Sequence, residues 1–281
     1  MAIGLIMAGG SGTRMFPSTY FANKHFLQIY DRPLIFFPLS TLIDNGINEI
    51  YLISSKEHSN PVKKLQNYFL KLNIKINFII QDKPKGIAQG ISLLKDFKKS
   101  DFLMILGDNV LILPNEKKHF IDYSNKKSSL FTYKVDNPEQ FGVYDKKKNL
   151  IIEKPNSFIS NNAVTGIYFY KKDIFNNIKK IKKSNRGEYE ITDINNILLK
   201  ENLAEIDKLP NNSFWKDCGT LEDFLFTNNK LSCTPKLLKN ISFPEISSLN
   251  SGFIDIRELE KIITRMPDNL YKHNLLKTLK Y

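Results

Sequence analysis

The 281-residue sequence holds only two cysteines, Cys218 and Cys233, and a single tryptophan. Two cysteines give no disulfide framework, so reduced thiols in a reducing compartment are expected. No apolar run approaches the ~18 residues that a membrane-spanning helix needs. The first apolar run, Ile3 to Met7, is too short for a secretion signal and leads directly into glycines. These absences point to a cytoplasmic protein with no membrane partner. The four histidines, His25, His58, His119 and His273, have no ligand spacing to one another or to cysteine, which argues against a zinc site. Acidic residues are outnumbered 29 to 41 by lysine and arginine, giving a formal net charge of +12. Such a charge suits a nucleic-acid binder. The lysines, however, are spread along the whole chain among asparagines and isoleucines, so a solvated basic surface is the simpler reading. The length suits one large domain, or one domain with a small appendage.

What is present is concentrated at the start. Ile3 to Met7 reads as one buried strand, followed by Gly9-Gly10-Ser11-Gly12-Thr13-Arg14. Glycines allow positive φ and close approach of a ligand to the main chain. A turn of this kind offers a row of N–H donors to phosphate oxygens, and Arg14 adds a guanidinium fork. The spacing fits neither the Walker loop nor the dinucleotide fingerprint.

Further strands are expected at Glu49 to Ser54, Lys75 to Ile80 and Phe102 to Leu106, with helices at Leu34 to Asn45, Pro61 to Leu72 and Gly86 to Phe97. Pro33 is placed to open the first helix, and Pro38 inside it implies a kink or a late start. Strands alternating with helices predict an α/β fold with a doubly wound, mostly parallel, Rossmann-like sheet. Ligands of such sheets sit beyond the carboxyl ends of the strands, where the glycine-rich turn, Gln81 and Asp108 all fall. The second half reads as strands at Ser128 to Val135, Phe141 to Tyr144, Leu150 to Glu153, Val164 to Tyr170 and Phe214 to Asp217, with helices between them and a helical tail. The division expected is residues 1–235, made of a doubly wound half 1–110 and a β-rich half 111–235, followed by a C-terminal helical segment 236–281 for packing.

Charged residues carry two readings each. Asp108 follows a buried strand and is either a cap or a ligand for a hard cation; magnesium favours one or two carboxylates plus substrate phosphates. Asp217 sits before a predicted helix, but Thr220 is nearer and suits the cap better. Lys24, Lys154 and Arg186 are surface charges or anion contacts.

The motifs taken together resemble sugar-phosphate nucleotidylyltransferases, and within that family the branch that joins glucose 1-phosphate to dTTP. The resemblance runs from Gly9 to Arg14 and Lys24 through Gln81, Gly86-Ile87-Ala88-Gln89, Leu106-Gly107-Asp108-Asn109, Phe141-Gly142-Val143, Glu153-Lys154-Pro155, Val164-Thr165-Gly166-Ile167-Tyr168, Arg186-Gly187-Glu188 and Trp215-x-Asp217-x-Gly219-Thr220, and on into the tail. It implies condensation of a sugar 1-phosphate with a nucleoside triphosphate, releasing pyrophosphate. It implies that Met7, Gly9, Gly10, Ser11, Gly12, Thr13, Gln81 and Gly86 bind the nucleotide. Arg14 and Lys24 would neutralise the triphosphate, and Asp108 and Asp217 would hold Mg²⁺. Lys154 and Arg186 would grip the sugar phosphate, while Gly142, Glu153, Val164 and Tyr168 line the sugar pocket. It also implies a homo-oligomer, a tetramer or dimer. Gln81 suits the edge of thymine or uracil alike, so dTTP and UTP both stand. A catalytically silent relative would lack the metal acids or the phosphate cations, and here all are present. The chain departs from the family at Met7, where Leu is usual, at His25, where Gln is usual, and at Leu111 to Pro114, where an aromatic-glycine loop is usual.

Overall fold

The computed structural model describes residues 2–10, 12–82, 85–94, 100–184 and 187–279. The strands are β1 (Ile3–Met7), β2 (Gln28–Ile29), β3 (Arg32–Pro33), β4 (Glu49–Ser54), β5 (Lys75–Ile80), β6 (Phe102–Leu106), β7 (Asn109–Ile112), β8 (Ser128–Lys134), β9 (Gly142–Asp145), β10 (Leu150–Glu153), β11 (Asn162–Tyr170), β12 (Ala204–Lys208) and β13 (Phe214–Asp217). The helices are α1 (Ser18–Phe21), α2 (Phe36–Asp44), α3 (Ser59–Leu70), α4 (Ile87–Ser92), α5 (Ile174–Asn177), α6 (Ile191–Lys200), α7 (Leu221–Cys233), α8 (Pro235–Leu238), α9 (Pro244–Asn250), α10 (Ile256–Thr264) and α11 (Leu270–Leu279).

A nine-stranded sheet carries the fold, in the order β10-β9-β11-β6-β1-β4-β5, with β8 paired to β11 and β12 to β8. β1 lies between β4 and β6, parallel to both. Both faces of this central part are covered, which is why β1 and β6 are nearly continuous apolar runs. Ile6, Leu39, Leu52 and Phe69 pack on one face with Phe243, Ile263 and Leu275 of the tail. Leu5, Met7, Ile53, Met104 and Ile194 pack on the other. The β-rich second half is not a separate layer. β11 joins β6 antiparallel and extends the same sheet.

Two helix expectations are corrected. α2 starts at Phe36, not Leu34, and Pro33 belongs to the small β2–β3 ribbon. Pro38 therefore falls in the first turn, where the backbone N–H has no helical partner to lose. The helix expected over Gly86 to Phe97 is the short α4, and residues 95–99 lie outside the described residues. Asp255 caps α10 as a full capping box with Glu258, each side chain accepting from the other's backbone N–H at 2.8 Å.

The tail is pinned by a buried arginine. Arg32 donates to both oxygens of Asp31 at 2.6 and 3.1 Å and to the Ser242 carbonyl at 2.8 Å, with its guanidinium 3.9 Å from the Phe243 ring centre. Asn274 of α11 donates to Asp31 at 2.8 Å. Among the described residues no helix is long and apolar enough to cross a membrane.

Candidate active site

β1 ends under the glycine-rich turn. Gly10 and Gly12 have φ of 114° and 60°, and Thr19 donates to the Gly12 carbonyl at 2.8 Å, which ties the turn to α1. Ser11 lies outside the described residues; Thr13 and Arg14 follow in an exposed single turn. Two cavities flank this turn. One, of about 220 Å³, is lined by Met7, Gly9, Gly10, Gln81, Gly86 and Asp108 among others. The second, of about 250 Å³, is bounded by Gly9, Gly10, Gly12, Lys24, His58 and neighbours.

The two acids meet through a ribbon. β7 and β13 pair antiparallel with Asn109 opposite Asp217 and Leu111 opposite Trp215. The ladder continues one step, Cys218 N–H donating to the Asp108 carbonyl at 2.9 Å. Trp215 locks it by donating to Asn109 Oδ1 at 2.6 Å. Thr220, not Asp217, caps α7 by accepting from Asp223 N–H, so Asp217 is released from that task. Its Oδ1 is buried with no hydrogen-bond partner. A Cβ placed on Gly219 would stand 3.1 Å from Asp217 Oδ1 and 3.4 Å from Arg14 Nη2, so the guanidinium and this acid share one corner. Lys24, itself buried, pairs with Asp108 Oδ2.

The charges split the acids. Burial pushes Asp217 up to about 7, aided by the nearby Asp108 and opposed by Lys24 and Arg14. Burial pushes Asp108 up as well, but the paired Lys24 outweighs it and holds the carboxyl below its usual value. Burial, then Lys24, presses His25 down to about 3, so its ring is neutral. Among the described residues no group of three or more His, Cys, Asp or Glu side chains gathers for a metal. A pair of acids with one unpartnered oxygen is the set that suits a cation whose other ligands are substrate phosphates and water.

Gln81 forms the far wall. It is buried, its amide nitrogen donates to Gln89 Oε1, and its oxygen lies against Gly9, where a Cβ would come within 2.8 Å. Gly86, at φ 98°, abuts the Tyr189 backbone, where a Cβ would meet the carbonyl at 2.4 Å; Tyr189 N–H donates to the Lys85 carbonyl at 2.8 Å. The segment before α6 thereby closes on the one before α4 and brings Glu188 to the cavity wall.

A second cluster lies on β9, β10 and β11. Thr192 donates to Glu153 Oε2 at 2.6 Å, and a Cβ on Gly142 would be 3.3 Å from the same oxygen. Lys154 is exposed, has φ 45°, and donates its N–H to the Phe141 carbonyl at 2.9 Å. Burial and then Glu153 raise the Tyr168 hydroxyl's pKa, so it stays protonated. Val164 is buried where β11 changes register before Tyr168, with Gly166 at φ 77° against Leu106 of the first cavity. Arg186 lies outside the described residues. The sequence reading did not assign Asn23, His25, Gln89, Glu188 or Thr192; His25, Gln89 and Glu188 lie inside quoted motifs or departures, while Asn23 adjoins Lys24 and Thr192 follows shortly after Arg186-Gly187-Glu188.

A parallel sheet with a glycine-rich turn, two cations and two acids at one carboxyl rim defines a phosphate-handling α/β enzyme. The Nucleotidyl transferase family model matches residues 3–233, and the chain belongs to that family. It is 33% identical over 286 residues to a glucose-1-phosphate thymidylyltransferase of Mycolicibacterium smegmatis, covering 98% of both chains. It is 32% identical over 289 residues to the enzyme of that name from Neisseria meningitidis, covering 99% of both. A Bacillus anthracis crystal structure, described as a candidate glucose-1-phosphate thymidylyltransferase in complex with sucrose, superposes with a TM-score of 0.75 at 33% identity, over 83% of this chain and 96% of that one.

Proposed function

We propose that the protein condenses glucose 1-phosphate with dTTP, giving dTDP-glucose and pyrophosphate, an activated sugar for polysaccharide assembly. The observation that carries this reading is the convergence of Arg14 with Asp217 and of Lys24 with Asp108, the last of which lines a cavity walled by Gln81. The relatives' names support the choice of substrates.

A sugar-phosphate oxygen attacks the α-phosphorus in line with departing pyrophosphate, so no nucleophilic side chain is needed. Catalysis of such a transfer is positioning and charge neutralisation. The turn from Gly9 to Thr13, Ser11 included, donates backbone N–H groups to the phosphates. Arg14 and Lys24 neutralise the triphosphate and the leaving group. Asp108 and Asp217 are the residues that would hold Mg²⁺, which when bound screens the phosphate charges. Lys154 and Arg186 grip the sugar phosphate, and Gly142, Glu153, Val164 and Tyr168 shape the sugar pocket. Met7, Gln81 and Gly86 meet the base. We assign residues 1–235 to catalysis and 236–281 to packing within a homo-oligomer.

Initial rates of pyrophosphate release with dTTP, UTP and CTP, each with glucose 1-phosphate and Mg²⁺, test the reading. A preference for dTTP supports it. A preference for UTP replaces the base while keeping the reaction, since Gln81 meets the same edge in both. No release with any nucleotide across several sugar phosphates overturns it.

A further inference from the structure

Two surfaces of the chain are left without a partner by its own fold. The first is the outer face of α7. Phe224, Thr227 and Leu231 turn inward, whereas Leu221, Leu225 and Phe226 are 42%, 56% and 54% exposed. Positions 221, 222, 225 and 226 share one face of the helix, so these side chains form a patch rather than a scatter. Glu222 completes the face. Its neighbour Asp223 is committed to Lys216 at 2.5 Å, while Glu222 makes no ion pair among the described residues.

The second surface is a groove of about 360 Å³ between α3 and α10. Tyr68, Ile262 and Met266, each half-buried, make its base. Lys71, Lys261 and Arg265 line it as exposed cations, and none of the three makes an ion pair among the described residues. The acid in its wall, Glu258, is already occupied by the Asp255 N–H at 2.8 Å. The groove is thus apolar at the base and cationic at the edge. The two surfaces belong to different packing units. Phe224 and Leu231 of α7 pack with Ile29 and Val110, whereas Tyr68, Ile262 and Met266 pack against the cluster of Phe69, Leu259 and Ile263. Fixed in the one, α7 is not free to fill the other within a single chain.

We propose that the groove between α3 and α10 receives α7 of a second copy of this chain, with Leu225 and Phe226 on its apolar base and Glu222 facing Lys261 and Arg265. A helix laid by its apolar face into a groove is a general mode of recognition. Charge favours this pairing over a purely apolar one. Two chains of formal charge +12 repel, so a contact between copies needs an acid set among cations, and Glu222 supplies it. The joined surfaces differ, so each copy gives a helix and receives one, and the assembly closes when the rotation returns to the first copy. The inference rests on the homo-oligomer assigned above and not on the chemistry of transfer. It joins the catalytic part of one copy to the tail of the next.

The test is sedimentation velocity of the full chain over a wide range of concentration, without substrates. Wild type should assemble, and the assembly should weaken as salt rises. Leu225→Glu should raise the dissociation constant about a hundredfold, and Phe226→Ser, on the same face, should act likewise. Glu222→Arg and Arg265→Glu should each weaken assembly about tenfold, and the two together in one chain should recover most of the loss, because the exchanged charges meet across copies. Arg257→Glu, on α10 but outside the groove, should leave assembly unchanged. All these side chains are exposed, so thermal melting should confirm that each variant is folded. Wild type that stays as single chains at every concentration, a Leu225→Glu protein that assembles as wild type does, or a double charge variant no better than either single one would each overturn the inference. Pyrophosphate release is read separately. Its absence would remove the reaction and leave this contact standing, and loss of the contact would leave the reaction standing.

Discussion

Replacing Asp217 with asparagine should separate stability from activity. In the metal-free protein this acid sits with one oxygen buried and unpartnered and is pushed from 3.8 up to about 7. An acid raised on folding weakens the fold as pH climbs from its unfolded value through its folded one; below about pH 4 the group is protonated in both states and the penalty is gone. The interval from 3.8 to about 7 corresponds to about 4 kcal/mol. Solvent reaches the rest of this partly buried residue, which trims the effect to about 2 kcal/mol. Asp217→Asn removes the charge at nearly constant shape. Without Mg²⁺ its melting temperature at pH 8 should exceed wild type by roughly 4 °C, and the difference should shrink toward pH 4.5. With Mg²⁺ and both substrates the same variant should lose at least a hundredfold in kcat. Differential scanning fluorimetry across pH, paired with pyrophosphate release, measures both. An unchanged melting temperature at pH 8 would refute the burial argument, and retained activity would refute the role of the acid.

Gly86→Ala should raise the KM for the nucleotide at least tenfold and lower the melting temperature by a few degrees, because a Cβ at φ 98° meets the Tyr189 backbone and spreads the two closing segments; steady-state kinetics with varied dTTP and thermal melting check it. Thr192→Val removes the donor to Glu153, and should raise the KM for the sugar phosphate about fivefold while leaving that for the nucleotide unchanged. Arg32→Lys keeps a charge but loses the fork on Asp31 and the stack on Phe243; a buried pair disturbed this way costs about 3 kcal/mol, so thermal melting should fall by about 6 °C or more.

The most legible parts of the sequence are the central strands covered on both faces of the sheet. β4 and β6 carry the bounds that the sequence reading gave them, because strands buried on both sides read as near-unbroken apolar runs; β5 at the sheet edge keeps its expected bounds with only Ile76 buried. β7 was hidden because Val110, Leu111 and Ile112 find their partner more than a hundred positions away, in β13. β12, with Glu205, Asp207 and Lys208, has no apolar pattern and becomes a strand only because β8 offers an edge. The same split holds at the site. Arg14, Lys24, Asp108 and Asp217 are legible as residue types suited to phosphate and metal. The meeting of Arg14 with Asp217 is not, since it depends on a ribbon whose two strands only the folded chain brings together.

The ribbon of β7 and β13 has a consequence for how the molecule comes into being. One acid stands directly before the first arm and the other closes the second, so the pair of acids does not exist until both arms have been made. A growing polypeptide that has completed residues 1–110 still lacks the second carboxylate, and the two acids meet only with the closing hydrogen bonds near Cys218. The bond that closes the ribbon is thus the one that brings the two acids together.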